Sequence, residues 1–301
     1  MVSQAAAVRA RTVRAGAVRV APVARRAVTF LLVLGALWGL WEGYRWLWMR
    51  TGWTHPFAVN DITMPHVHKI VGQLFQPAQT GGPLLITLLW HSALFTAKEA
   101  AVGFAIGASI GFVLGVVLSQ FRMLQRGLLP YIVASQTIPI LAIAPMVVVG
   151  LGSITISGWT PADWMRVAVI AAYLTFFPVT VNTLRGLQSA DPRAIELMHS
   201  YAASGWSILW KLRVPSALPY LFSAFKISAT ASVVGAIIGE APSSIPSGLG
   251  GAIITFNQYY SLEPSNLWAT NLIAALLGIS FFLAVLLVEK LVVRRAPENL
   301  V

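Results

Sequence analysis

The sequence predicts an all-α polytopic membrane protein with about six transmembrane helices. Apolar residues make up 57% of the 301-residue chain and charged residues only 10%, whereas a soluble domain carries about a quarter charged residues. Mean hydropathy is +0.73. The apolar residues gather into stretches of roughly twenty, the length that crosses a bilayer, with polar segments between them. The 24 Gly and 11 Trp suit this class, because Gly lets helices approach closely and Trp settles at membrane interfaces. The net charge of +11 is read as cytoplasmic loop bias and attraction to anionic lipid headgroups, not as a nucleic-acid footprint. With no cysteine, disulfides, thiolate metal sites and cysteine nucleophiles are excluded.

Residues 1–27 read as a basic cytoplasmic arm, disordered, with Arg9, Arg11, Arg14, Arg19, Arg25 and Arg26 and no acid. The apolar stretch 28–49 is long enough to span, and no small-residue cleavage site follows it, so it reads as a first transmembrane helix and not a secretory signal. Glu42 and Arg45 stand three apart on one face near its outer end, where they pair or reach the headgroups. Trp38, Trp41, Trp46 and Trp48 form an interfacial belt there. Residues 50–83 form an extracytoplasmic loop marked by Pro56, Pro65, Pro77 and Gly81–Gly82–Pro83. In it, His66-x-His68 has a metal-like spacing. No third ligand at helical spacing and no cysteine accompany the pair, so both are read as loop histidines and no metal is expected.

Residues 84–290 form the membrane core. The stretch 84–121 is too long for one span and is split near Lys98–Glu99 into an interfacial helix (84–97) and a second span (99–119). Gly103, Gly107, Gly111 and Gly115 recur every fourth residue and make a smooth ridge for a close helix partner, in this chain or in a second copy. The third span, 128–150, carries Gln136, Pro139 and Pro145. Prolines inside a span either line a pathway or mark a kink packed against neighbours. The fourth span is 164–184, with Pro178. The fifth, 220–239, is rich in Ser and Thr, including Thr230 and Ser232. A loop with Glu240, Pro242, Pro246 and Gly248–Leu249–Gly250–Gly251 follows, then an apolar stretch to Tyr260 that reads as a re-entrant or interfacial helix. The sixth span is 267–289, and residues 291–301 form a cytoplasmic tail. With the N-terminus inside, fifteen of the 21 Lys and Arg fall on cytoplasmic segments, which supports six spans with both termini inside.

Between the fourth and fifth spans lies a polar cytoplasmic loop, 185–216. Asp191–Pro192 is a helix start, an N-cap acceptor followed by the residue best tolerated at the first helical position. Ile195, Met198 and Ala202 give one apolar face. Ser204–Gly205 breaks the helix. A second short helix, 206–214, places Ile208, Leu209 and Leu212 on one side, and Pro215 and Pro219 redirect the chain to the membrane. The product is an amphipathic helix-turn-helix suited to a groove on another protein, with an ordinary long loop as the alternative.

At these residues the chain resembles the membrane subunits of ATP-driven ABC importers. Their cytoplasmic signature is Glu-Ala-Ala, three residues, Gly, nine residues, Ile-x-Leu-Pro. Here Glu196 and Pro215 match literally. Leu197 and Met198 replace the alanines, Ala202 replaces the glycine, and Leu212 and Val214 replace the Ile and Leu. Pro139 and Pro145, the run SALPYLFSAFKIS, and Gly239–Glu240 with Gly248–Leu249–Gly250 resemble further features of the family. The nearest branch is the nitrate/sulfonate/taurine-type permeases, with relatives importing pyrimidine precursors and riboflavin. The resemblance implies a type I importer-like fold, a homodimer around one pathway, two ATP-binding subunits docked on the loops and an extracytoplasmic substrate-binding protein, all in a bacterial inner membrane. It implies a coupling role for Asp191, Glu196, Met198, Tyr201, Ala202, Gly205, Leu212 and Pro215. No Gly-x4-Gly-Lys-Ser/Thr phosphate loop is present, so ATP and Mg are expected in the partner ATPase, with no cofactor and no catalysis in this chain.

Two other classes are weighed. A secondary transporter or channel would use intramembrane charges, here Lys226 and Glu240. An intramembrane enzyme would need a nucleophile or metal cluster, and His91 and His199 stand alone. For the translocation pathway the polar candidates are Gln136, Thr230, Ser232 and Glu240 with Pro139 and Pro145; helix–helix hydrogen bonding is the alternative for each polar one.

Overall fold

The computed structural model describes residues 2–52, 55, 59–79, 81–155, 157–241 and 245–293, with side chains in the N-terminal helix described at Arg25 and from Val28 onward. Pro56, Pro242, Arg294, Arg295 and the side chains of the other five arm arginines therefore lie outside the described residues. The chain forms two units, residues 1–72 and 73–301.

In the first unit, α1 (Val2–Thr51) is continuous. The backbone of the arm is thus helical where composition predicts disorder; Ala, its commonest residue, and Arg are strong helix formers. The segment after α1 is held by a local turn in which Asn60 Oδ1 accepts from the backbone N–H of Ile62 (3.0 Å) and Thr63 (2.8 Å). The short helix α2 (Val67–Gln73) follows.

The second unit is helical throughout its described core. α3 (Leu85–Gln120) is one unbroken helix of 36 residues, which corrects the expected break at Lys98–Glu99. Lys98 is exposed while Glu99 is not, and the helix runs on through both. The Lys98 ammonium lies 4.1 Å from the centre of the Trp164 ring, and Glu99 is fully buried. At 1.5 Å per residue such a helix is about 54 Å long and extends well beyond a hydrocarbon core of about 30 Å.

The third span is likewise not one straight helix. α4 (Arg122–Ser135) and α5 (Ile140–Ser153) meet at 95° across residues 136–139. Pro139 offers no N–H and pushes the residue before it out of helical geometry. The Tyr173 hydroxyl donates to the Ser135 carbonyl and ties this bend to α6 (Asp163–Gln188). Then come α7 (Pro192–Ser200), α8 (Gly205–Ile208), a π-turn (Leu209–Arg213), α9 (Val214–Glu240), α10 (Leu249–Gln258) and α11 (Pro264–Val292).

Among the described residues, α3, α6, the continuous helix Gly205–Glu240 and α11 are long and apolar enough to cross a membrane, and the α4–α5 pair, bent by 95°, is either a broken fifth span or a re-entrant loop. The sequence assigns the sixth to residues 28–49 of α1.

The core is built on α6, which packs between α3 and α9. Lipid supplies no hydrophobic force between helices, so close backbone approach must do the packing. A Cβ at Gly103, Gly107, Gly111 or Gly115 would stand 2.4–2.5 Å from α6 atoms: Ala171 Cβ, Ala172 O, Phe176 O and Thr183 Cβ in turn. The ridge therefore faces a helix of its own chain. On the other side of α6, a Cβ at Gly235 of α9 would lie 2.9 Å from Ala171 Cα, and Ser228 Oγ donates to Thr175 O at 3.2 Å. Ala100, Ala144, Val148, Val167, Ile170, Val233, Ala236 and Ile245 make the central apolar cluster. α9 and α11 are joined by the Lys226–Glu289 ion pair at 2.9 Å.

Candidate functional site

The loop between α6 and α9 is built as two capped helical segments. Asp191 accepts from the backbone N–H of Arg193 at 2.9 Å, and Pro192 takes the first turn. At the other end of α7 the Ala203 N–H bonds Met198 O (3.0 Å) and the Ala202 N–H bonds His199 O (2.9 Å). That pair of bonds is a Schellman cap, which requires a left-handed residue at its turn and normally uses Gly. Ala202 fills that place with φ 54°. It also stands where the importer signature has glycine. The position is thus defined by backbone conformation, and this chain meets it with a strained residue.

Ser204 caps α8, accepting from the Ser207 N–H at 3.3 Å. From there the helix does not stop, which corrects the expected redirection at Pro215 and Pro219. The chain widens into the π-turn, where the Val214 N–H bonds Leu209 O, and Pro215, which has no N–H to give, follows directly after it. The loop is anchored from inside: Leu209 packs with Leu187, Ala217 and Leu221 of α6 and α9, and Met198 and Leu212 are half-buried.

The outer face is different. Glu196, Ala202, Gly205 and Pro215 are exposed. Large apolar side chains lie beside them: Tyr201 is 79% exposed, Trp206 69%, Leu197 58% and Trp210 45%, with Trp206 and Trp210 edge to face at 5.5 Å. Next to the loop is a cleft of about 650 Å³ lined by Arg122, Arg126, Arg213, Gln125 and Gln188, among others. The surface offered is aromatic at its centre and basic at its side.

The pathway candidates are spread over different surroundings. Gln136 and Pro139 sit at the α4–α5 bend, with the Gln136 amide 3.4 Å from Ser135 Oγ, and Pro145 is half-buried within α5. Thr230 and Ser232 donate to carbonyls of their own helix, Ile227 and Ala229, both at 2.8 Å.

Glu240 is fully buried. Its Oε1 accepts from Thr96 Oγ1 at 2.6 Å, its Oε2 accepts from the Gly250 N–H, and Thr96 Oγ1 in turn accepts from the Leu249 N–H at 2.9 Å. The carboxyl group therefore caps the N-terminus of α10, where the helix dipole favours an acid. The neighbouring glycines make room for it. A Cβ on Gly248 would fall 2.1 Å from Glu240 Cδ, one on Gly250 would fall 2.8 Å from Glu240 Cβ, and one on Gly251 would fall 2.2 Å from Ile245 O. The Gly-Glu and Gly-Leu-Gly-Gly segments are thus two halves of one clamp.

Sequence reasoning missed Thr96 and Glu99. Glu99 lies beside Glu240, and its oxygens meet no other hydrogen-bond partner among the described residues. One acid inside the apolar run of α3 was the available signal. Sequence reasoning also missed Glu42, which comes together with His66 and His68 as a potential metal-ligand triad; the third ligand lies 24 residues upstream, on α1.

Apolar helices long enough to cross a membrane, with an exposed hairpin between two of them, define a multi-pass membrane subunit. The chain belongs to the family of binding-protein-dependent transport system inner membrane components, whose profile matches residues 107–296. It is 32% identical over 225 residues, 72% of this chain and 85% of the relative, to the formylaminopyrimidine transport permease protein ThiX of Halalkalibacterium halodurans. It is 29% identical to the riboflavin transport system permease protein RibX of Chloroflexus aurantiacus, over 59% of this chain and 60% of the relative. A putative aliphatic sulfonates transport permease of Bacillus subtilis is 24% identical over 76% of this chain and 83% of the relative. The fold matches a solved amino acid ABC transporter chain with a TM-score of 0.52 at 16% identity, over 68% of this chain and 94% of that one. The protein is an ABC importer permease subunit of this branch.

Proposed function

We propose that two copies of this chain form one translocation pathway, driven by two ATP-binding subunits that dock on the 191–215 loops. The observation that carries this reading is the exposed aromatic face of that loop, Tyr201, Trp206 and Trp210 with Leu197 beside Glu196. Aromatic side chains grouped on a rigid, capped surface are what a protein partner buries as binding anchors. The inward anchoring of Leu209 between α6 and α9 lets a displacement of the loop move two spans together. ATP and Mg bind in the partner subunits, and an extracytoplasmic binding protein delivers substrate. Both termini and the loop face the cytoplasm of a bacterial cell, and the chain itself catalyses no reaction.

The substrate is a small organic or anionic nutrient of the pyrimidine-precursor, riboflavin, sulfonate or nitrate class. Similarity to the formylaminopyrimidine permease favours the first of these. Glu196→Lys is the test: the variant inserts in the membrane but loses co-purification of the ATPase subunit and ATP-driven uptake. Unchanged, coupled ATPase activity in that variant, or uptake without any ATPase subunit, would overturn the reading.

A further inference from the structure

The outer end of the apolar part of α1 carries a second cluster that the transport reading does not use. Glu42, His66 and His68 each offer one ligand atom, and the three atoms lie within 4.8 Å of one another. The arrangement is built, not incidental. Trp41 Nε1 donates to Pro65 O at 3.1 Å, and Arg45, itself buried, donates to Met64 O and to Asp61. These contacts fasten the segment 60–68 along α1 and bring His66 over Glu42, one turn from Arg45. The carboxylate is fixed on both oxygens: Oε1 accepts from the Val67 N–H at 3.3 Å, and Oε2 is 2.7 Å from His66 Nδ1. His68 follows on the same side, its ring centre 5.0 Å from that of His66 with 31° between the planes.

We infer that Glu42, His66 and His68 form a binding site for a divalent transition-metal ion of the Zn²⁺ class. Two imidazoles and one carboxylate are a ligand set that Zn²⁺, Co²⁺, Ni²⁺ and Cu²⁺ accept and that Ca²⁺ and Mg²⁺, which want oxygen alone, do not. Bonds of about 2.0 Å in a tetrahedral site set ligand atoms about 3.3 Å apart. The Glu42–His66 contact, 2.7 Å, opens by about 0.6 Å to reach that spacing. His68, exposed and free to turn about its side-chain bonds, closes the rest. A fourth position stays open to water or to a ligand. The two nearby cations do not oppose the ion directly, since Arg45 and Lys69 are both engaged by Asp61. A bound ion links α1 to the segment 60–68 more firmly than the single Glu42–His66 contact does.

The test uses the full chain, purified with a tag that contains no histidine and stripped with a chelator. Zn²⁺ is then titrated as its chloride by equilibrium dialysis, and Co²⁺ by visible absorption. One ion per chain is expected, with intensified Co²⁺ bands from nitrogen and oxygen ligands at low coordination number. Glu42→Gln, His66→Ala and His68→Ala should each weaken binding at least tenfold, while His55→Ala, His91→Ala and His199→Ala leave it unchanged. His68→Ala removes an exposed side chain, so loss of binding in that variant is not loss of folding. No stoichiometric uptake, or uptake that survives His66→Ala with His68→Ala, or uptake lost equally in the three control variants, overturns the site.

Discussion

Gly107→Ala adds one methyl group to the ridge that α3 presents to α6. Two effects oppose each other. Replacing Gly by Ala inside a helix contributes about 1 kcal/mol of helix propensity. Against this, the new Cβ would stand 2.5 Å from Ala172 O and 2.7 Å from Thr175 Cβ, whereas carbon atoms pack best at about 3.5–4.0 Å. The carbonyl of Ala172 is held in the middle of α6 and cannot rotate aside, so the helices must part by roughly 1 Å. Overpacking of this kind costs about 1–3 kcal/mol. Parting the helices also loosens the contacts at Gly103 and Gly111, which are as close. The net expectation is destabilisation by about 1–2 kcal/mol. Gly278→Ala on α11, where nothing lies within 4 Å of the added Cβ, is the matched control and should be neutral or slightly stabilising. Thermal unfolding in detergent, followed by tryptophan fluorescence, compares the three proteins. The midpoint should fall by a few degrees for Gly107→Ala alone, and a Gly107→Ala protein that unfolds at or above the wild type would refute the packing argument.

Ala202→Gly should stabilise the hairpin by about 1 kcal/mol, because an L side chain in the left-handed region costs about 1–2 kcal/mol and Gly does not; slower amide exchange at Ala203 and along α7 would show it, and faster exchange would contradict it. Asp61 gives a pH prediction. Hydrogen bonds from Lys69 and then Arg45 hold its carboxyl at about 2, below the ordinary 3.8. Since the folded value is depressed, the stabilisation of the segment 60–69 is complete above the unfolded value and is lost as pH falls through the folded one. An NMR titration of the Asp61 carboxyl should give a midpoint near 2, and a midpoint near 3.8 would remove the anchor from the account.

Patterns that depend on neighbouring positions in the chain were legible. Asp191–Pro192 and the break at Ser204–Gly205 give the α7–α8 hairpin. The four-residue glycine period gives a close helix contact, although only the fold shows that α6 fills it. What failed was anything that required knowing a polar residue's partner. Lys98 and Glu99 read as a boundary because charges usually leave the membrane; here one rests on Trp164 and the other beside Glu240. Pro215 read as a redirecting residue because prolines usually end helices, but a π-turn before it lets the helix continue. The cap that Glu240 makes on α10 was out of reach for the same reason, because it depends on Thr96, far away in the chain. Glu42 was likewise too far from His66 and His68 to be counted with them.

The outer face of the α7–α8 hairpin is proposed to seat the ATPase subunit. The chain has no cysteine, so Tyr201→Cys places one reactive thiol on that face and Gln79→Cys places one in the loop before α3. Each variant, assembled with the ATPase subunit, is treated with a short thiol-to-amine cross-linker in membranes. Tyr201→Cys should yield a permease–ATPase adduct and Gln79→Cys none. No adduct at Tyr201, or an equal yield from both positions, would contradict the account.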